Sequence, residues 1–371
     1  MKTIALLNCH GDDVFCFRRE IIETLVERGY KVVLSCPEHE RLDYFRTMKN
    51  LVIKDVCIDR RGKNPVKDIK LLVDYIRLYR KHQPDVVCSF TIKPNVYGSI
   101  AADVLGIPHI NNITGIGSGY LNGGFVKSII KLLYRLALRK SKMVFFQNED
   151  NQEIALKSKM ISEKIPHQII PGSGVNLGRF AYQKNENDCK NVVFNYIGRV
   201  MKDKRIDDYL KAAIIVKEKH HHVVFNVIGF VEETESHYLP EIQQLETQGT
   251  IHYCGSVDDV RPLIYASDAL VHPSAYGEGV SNVILETAAC GRAVITTDVP
   301  GCKDCVEDGV TGLMYHAKDV RQLVAKIEKF ISMSAVERIK MGEEGRKMVE
   351  KKFDRNIVVD AYVQQISQIL N

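Results

Sequence analysis

The sequence predicts an α/β protein made of two doubly wound domains, each a parallel sheet covered by helices on both faces. Three observations carry this expectation. The chain has 371 residues, more than one ordinary core fills. Short β-branched runs alternate with longer amphipathic segments from end to end. The alternation also restarts after an aperiodic polar stretch, "YQKNENDCKN" at 182–191.

Taken in order, "TIALL" (3–7), "KVVLSC" (31–36), "DVVCSF" (85–90), "IPHINNI" (107–113) and "KMVFFQ" (142–147) read as buried strands. Helical patterns at 17–28 and 69–81 lie between them. "VVFNYIG" (192–198), "VVFNVIG" (223–229), "IHYCG" (251–255), "ALVHPS" (269–274) and "AVITT" (293–297) repeat the scheme. The expected division is an N-terminal Rossmann-like domain at 1–182 and a second at 183–355. A terminal helix at 356–371 then has to bury Ile357, Val358, Ala361, Tyr362, Ile366 and Ile369, and is expected to pack back on the first domain. Two facing sheets of this kind leave a cleft at their carboxyl ends, where open α/β sheets bind ligands.

Composition narrows the class. With 45% hydrophobic and 26% charged residues, the chain is that of a soluble globular protein. Residues 1–180 carry 28 Lys/Arg against 18 Asp/Glu, whereas 181–371 carry 23 against 28. The basic half is therefore expected to meet something anionic. No run reaches the ~18–20 apolar residues of a membrane span. The apolar core of "MKTIALLNC" is too short for a signal peptide and reads as a first strand. Ten cysteines without framework spacing suit free thiols in a reducing cytoplasm. Cys302-Lys-Asp-Cys305 is a lone CxxC, and His220-His221-His222 sits where a charged helix gives way to a strand. Neither calls for a metal.

The motifs fall just after strands. Arg199 ends "VVFNYIG", and Lys204 follows five residues on, before a helix. Two cations at one strand–helix junction can neutralise charge building up on a diphosphate leaving group, although a solvated loop offers the same residue types. After "ALVHPS" comes "YGEGVSNVILETAACGRAVI" (276–295), with Glu278 and Glu286 eight positions apart. Gly277 and Gly279 let the backbone approach a ligand, and a helix is expected over 280–290, stopped by Gly291. Its first amides, around Gly279, Val280 and Ser281, are a candidate anion site. Glu278 stands where a carboxylate can accept bonds from sugar hydroxyls, and Glu286 where it can reach a ribose diol. Glu286 is conspicuous because its helix is otherwise almost wholly apolar or small.

These residues resemble a family. "EGVSNVILE" has the E-x7-E spacing of retaining GT-B glycosyltransferases of family 4, and "GRVMKDK" resembles their Gly-Arg-x4-Lys element. "PGCKDCVEDGVTGLMY" (300–315) and "PGSGVNLGRF" (171–180) resemble the flanking stretches, so the likeness runs along essentially the whole chain. It implies that Arg199, Lys204 and Glu278 face the donor sugar and its diphosphate, and that Glu286 holds the ribose. Arg205 departs from the pattern, standing where a glycine often follows the lysine.

The stretch 89–120 resembles the subset that builds capsular polysaccharide, O-antigen or lipid-linked glycans on a polyprenyl diphosphate. Arg18, Lys93 and Asn95 are the candidate acceptor-binding residues, each equally readable as an ordinary loop group. Thr114 stands near the place of a histidine that many members carry, so that role is not carried over. "FVKSIIKLLYRLALRKSK" (125–142) reads as a basic amphipathic helix, suited to an anionic membrane surface or to a solvated crossover.

"GIGSG" (115–119) misses the dinucleotide fingerprint, since Tyr120 stands in the place of its last glycine. Basic segments lack aromatic interleaving, which argues against nucleic acid. No Asp-x-Asp occurs, in keeping with a metal-independent enzyme that has no cofactor besides its nucleotide-sugar substrate.

The expectation is therefore a cytoplasmic transferase, peripheral on the inner face of the membrane. It would move GalNAc, Gal or a related hexose from a UDP-sugar to a polyprenyl-diphosphate-linked saccharide. A nucleotide-sugar epimerase of similar architecture is the alternative, although no acid/base pair for it stands out.

Overall fold

The structure, a computed structural model, describes residues 1–59, 62, 64–115, 124–185 and 191–371. Most of the Gly-Ile-Gly-Ser-Gly run and much of the polar stretch at 182–191 lie outside the described residues. The chain folds as two units: Met1–Ser173 with Arg355–Asn371, and Gly174–Asp354.

The first unit carries a seven-stranded sheet among the described residues, all parallel, in the order β3-β2-β1-β4-β5-β6-β7. Its strands are β1 (Thr3–Leu7), β2 (Lys31–Cys36), β3 (Leu51–Asp55), β4 (Val86–Phe90), β5 (His109–Ile113), β6 (Met143–Phe146) and β7 (His167–Ile169). The apolar run at the start of the chain is thus β1, paired on both sides and fully buried. The helical pattern at 17–28 is broken at Arg18, which separates Gly11–Phe17 from α1 (Arg19–Glu27). α2 (Pro65–His82) starts with an Asn64 side-chain cap and Pro65 in its first turn, four residues before the expected start at 69.

The basic segment forms α3 (Gly124–Leu138), which ends before Arg139, Lys140 and Lys142. These three lie in the turn into β6 rather than on the helix.

The second unit carries a six-stranded sheet among the described residues, again parallel, in the order β10-β9-β8-β11-β12-β13. Its strands are β8 (Val193–Ile197), β9 (Val224–Ile228), β10 (His252–Gly255), β11 (Ala269–His272), β12 (Ala293–Thr297) and β13 (Gly312–Tyr315). Helices α4 (Ile206–Lys219), α5 (Asn282–Ala289) and α6 (Ala335–Lys352) follow in chain order. Gly342 lets α6 lie against the end of α5, because a Cβ there would stand 2.1 Å from the Gly291 carbonyl oxygen.

The chain first passes between units at Ser173/Gly174, nine residues before the expected 182. Residues 174–182 belong to the second unit for a physical reason. Val175 bridges to Asp354, Phe180 joins the apolar cluster around Ile284, and Arg261, Tyr265 and Arg346 donate to the carbonyls of Arg179, Ala181 and Phe180.

The last helix, α7 (Arg355–Leu370), lies in the first unit. It buries Val358, Tyr362 and Ile366 in the cluster that also holds Ile22 and Leu25 of α1, and Arg355 donates to Glu20 at 2.8 Å.

Candidate donor site and the family of the chain

In a doubly wound sheet the strand order reverses at one point, and the strand ends on either side of it part to leave a crevice. In the second unit that point lies between β8 and β11. Arg199 follows β8 and Glu278 follows β11, so the topology alone brings them to one end of the sheet.

The Lys204 ammonium donates to the Glu278 carboxylate, joining residues 74 positions apart. Their side chains are 20% and 17% exposed. Burial pushes the Glu278 carboxyl up, but Lys204, with His272 and Arg199 beside it, outweighs burial and holds it below the usual carboxylate range. Arg199 Nη1 donates to Glu232 at 3.3 and 3.4 Å. Three of the predicted donor residues thus sit in two ion pairs.

The helix expected over 280–290 begins later. Ser281 is the N-cap and α5 runs Asn282–Ala289, so Gly279 and Val280 precede it. The Ser281 amide is not available to an anion, because it donates to the Gly301 carbonyl at 3.0 Å, and the Glu278 amide donates to Pro300 at 3.2 Å. That correction moves the candidate anion site inward, to the first-turn amides of α5, which have no intrahelical partner. Ser281 does not cap them with its hydroxyl. Its Oγ instead lies 3.2 Å from His272 Nε2. Glu286, in the second turn of α5, is half-buried.

The loop 300–305 holds this turn in place. Gly301 has φ +85°, and a Cβ there would meet the Glu278 carbonyl oxygen at 2.8 Å. Cys302 and Cys305 pack beneath as buried free thiols. Burial pushes the Cys302 thiol up to about 12, leaving it unreactive near neutral pH.

Two residues of this site escaped sequence reasoning. His272 ends β11 and is 3% exposed. Burial, then Lys204, lowers its imidazole to about 4, so it is neutral near pH 7. A polar residue at the end of an apolar strand was its signal. Glu232 was visible only by analogy: β8 and β9 both end in Ile followed by Gly, with Arg199 after the first glycine and Glu232 three positions after the second.

Arg205 accounts for its own departure from the pattern. Its φ is +55°, the left-handed region that favours glycine. Its guanidinium offsets that cost by a forked pair with the buried Asp208, at 2.6 and 2.8 Å.

The candidate acceptor residues are placed differently. Asn95 is fully buried in a π-helical turn (Pro94–Gly98). Its Oδ1 accepts from Ser89, and its Nδ2 donates to the Asn112 carbonyl at 2.7 Å. It is bonded to buried neighbours inside the first unit and presents no exposed surface of its own. Lys93 is paired with Asp68 at 2.7 Å and is 14% exposed. Arg18 is 4% exposed, lies 4.3 Å from the Phe90 ring centre and donates to Ser173 Oγ and the Phe17 carbonyl, both neutral oxygens. Burial lowers its guanidinium from the usual value.

Comparison with known proteins identifies the chain. Residues 179–348 match the family "Glycosyl transferases group 1", and residues 3–148 match "Glycosyl transferase 4-like". The chain belongs to the group 1 glycosyltransferases. Along its full length the transferase is similar to the N,N'-diacetylbacillosaminyl-diphospho-undecaprenol alpha-1,3-N-acetylgalactosaminyltransferase of Campylobacter jejuni, with 26% identity over 99% of each chain. It is also similar to the capsular polysaccharide biosynthesis glycosyltransferase CapM of Staphylococcus aureus, with 29% identity over 78% of each. Its GT-B fold is shared with Anabaena HepE, solved in complex with UDP and glucose. There the TM-score is 0.81, at 17% identity over 99% of this chain and 100% of that one.

Proposed function

We propose that this glycosyltransferase moves a hexose from a UDP-sugar to a polyprenyl-diphosphate-linked saccharide, in capsule, O-antigen or related glycan synthesis. One observation carries the donor half of the reading. Arg199, Lys204 and Glu278 converge with an N-terminus that no side chain caps, at the switch point of the second sheet. That set suits a diphosphate bearing a sugar. The two relatives support the acceptor half, one named for a diphospho-undecaprenol acceptor and the other for capsule synthesis. HepE with bound UDP supports the choice of nucleotide.

In this reading, first-turn amides of α5 with Arg199 and Lys204 take up charge on the departing diphosphate, a role a metal ion fills elsewhere. Glu278 meets the sugar hydroxyls, and Glu286 the ribose. Retention is front-face: the bond from the anomeric carbon to the diphosphate oxygen breaks as that carbon bonds the incoming hydroxyl. The hydroxyl proton passes to the departing phosphate oxygen. Arg18, charged and hydrogen-bonded to neutral oxygens, is the remaining candidate for the acceptor diphosphate.

The test is to screen UDP-sugars against short polyprenyl-diphosphate saccharides, with mass spectrometry of the products. Free UDP that accumulates only when an acceptor is added supports a transferase; UDP release indifferent to acceptor sinks the reading. Glu286→Ala is expected to weaken UDP binding about tenfold, as lost hydrogen bonds to a ribose diol imply. An unchanged calorimetric titration removes Glu286 from the ribose.

The membrane enters through α3. Tyr134, Ala137 and Leu138 bury one side, whereas Ile129, Leu132 and Leu136 remain 41%, 57% and 43% exposed on another, with Arg135 exposed beside them. An apolar stripe flanked by cations suits the interface of an anionic bilayer. No helix among the described residues is long and apolar enough to cross one. Exchanging Lys131, Arg135 and Arg139 for glutamate is expected to abolish sedimentation with phosphatidylglycerol vesicles. Undiminished sedimentation would make α3 a plain crossover helix.

A further inference from the structure

Glu232 has no part in the roles assigned so far, yet it occupies the cation that the diphosphate needs. Its carboxylate takes Arg199 Nη1 through both oxygens, at 3.3 and 3.4 Å, and is 19% exposed. It is not delivered by a loose loop. Beyond the ends of β8 and β9 the two backbones remain joined, with Val200 N donating to the Phe230 carbonyl at 2.9 Å and Glu232 N donating to Val200 at 3.3 Å. Gly229 makes the approach feasible, since a Cβ there would stand 2.0 Å from the Gly198 carbonyl oxygen. The fold therefore places a carboxylate beside Arg199 just as it places Glu278 beside Lys204.

In these two pairs each cation is matched by one carboxylate. Without Glu232 the pairs would carry a net positive charge in a partly desolvated crevice, where charges interact more strongly than in water. Such an excess favours product over substrate. When the sugar leaves, the terminal phosphate of the nucleoside diphosphate gains a further ionisation, with a pKa of about 6. A more cationic site would then hold the leaving nucleotide harder than the sugar nucleotide that must replace it, and product release limits turnover in many enzymes.

We propose that Glu232 is a charge-matching residue of the donor site. It competes with the diphosphate for Arg199 and so sets how readily the free nucleoside diphosphate departs. The inference rests on the donor reading above.

Calorimetric titration of the full chain with UDP, inorganic diphosphate and uridine tests it. In Glu232→Gln and Glu232→Ala, UDP and inorganic diphosphate are expected to bind about tenfold more tightly than to the wild type, with a steeper salt dependence. Uridine affinity should not move, and Glu232→Asp, which keeps the charge, should remain near wild type. Unchanged or weaker diphosphate binding in the two neutral variants overturns the proposal and makes Glu232 a positioning residue for Arg199. Tightening in the alanine variant alone also overturns it, since that would be an effect of shape. If the wild type binds neither UDP nor inorganic diphosphate, the donor reading falls and takes this inference with it.

Discussion

Lys204→Ala is expected to lower kcat by about 10²-fold or more, with a smaller effect on KM. Two consequences combine. The variant loses a cation placed to meet charge that develops only as the sugar–diphosphate bond breaks. It also leaves Glu278, 17% exposed beside the buried His272, without the ammonium that holds its carboxyl ionised. Burial then prevails and raises the Glu278 carboxyl. If the ionised form is the active one, the acid limb of the pH–rate profile moves to higher pH than in the wild type. Arg199→Ala should also reduce kcat, without moving that limb as far, because its hydrogen-bonded carboxylate is Glu232 rather than Glu278. Steady-state kinetics across pH decide the matter, and a near-normal kcat in Lys204→Ala removes the clamp from the mechanism.

Asn111→Ala should destabilise the first unit by about 3 kcal/mol or more, because buried polar groups left without partners cost about 1–3 kcal/mol each. Asn111 is fully buried in β5. Its Nδ2, with two hydrogens, donates to Ser89 Oγ at 2.8 Å and Ser99 Oγ at 2.7 Å, and lies 3.2 Å from Asn95 Oδ1. Its Oδ1 accepts from Ser141 Oγ at 2.7 Å and lies 2.8 Å from His109 Nδ1. The network continues from Asn112 Nδ2 to the Tyr362 hydroxyl on α7, at 2.7 Å. Rearrangement and water entry will recover part of the loss. A fall of about 6–12 °C in the first-unit transition is expected, at roughly 2–4 °C per kcal/mol for a unit of this size. UDP titration should be unaffected, since the candidate donor groups all belong to the other unit. A transition within about 2 °C of wild type would show that the network rearranges at little cost.

Legibility followed burial. β1, β2 and β12 coincide with their predicted runs because a strand buried on both faces must be apolar throughout. β3 and β7 escaped for the complementary reason. They are the edges of the first sheet, and "LVIKD" and "HQI" carry the polar residues a partly exposed strand tolerates.

At the site, residue types and spacing picked out Arg199, Lys204, Glu278 and Glu286, because charges just after or inside apolar elements are conspicuous. Partners were not readable. Nothing in one dimension joins Lys204 to Glu278 or Arg199 to Glu232, and nothing marked the Ser281 amide as taken by Gly301. Asn95 shows the opposite hazard, a polar residue after a strand that turns out to satisfy buried neighbours.

The return of α7 to the first unit has a consequence for synthesis. Domains commonly fold in the order they leave the ribosome, but here the first unit cannot close its core until residues 355–371 have been made. Gly174–Asp354 is translated in between, which takes roughly 10–40 s at ~5–20 residues per second. Throughout that interval the face of the first unit awaiting Val358, Tyr362 and Ile366 stays open to water, to chaperones and to other nascent chains. The unit begun first is therefore the unit finished last.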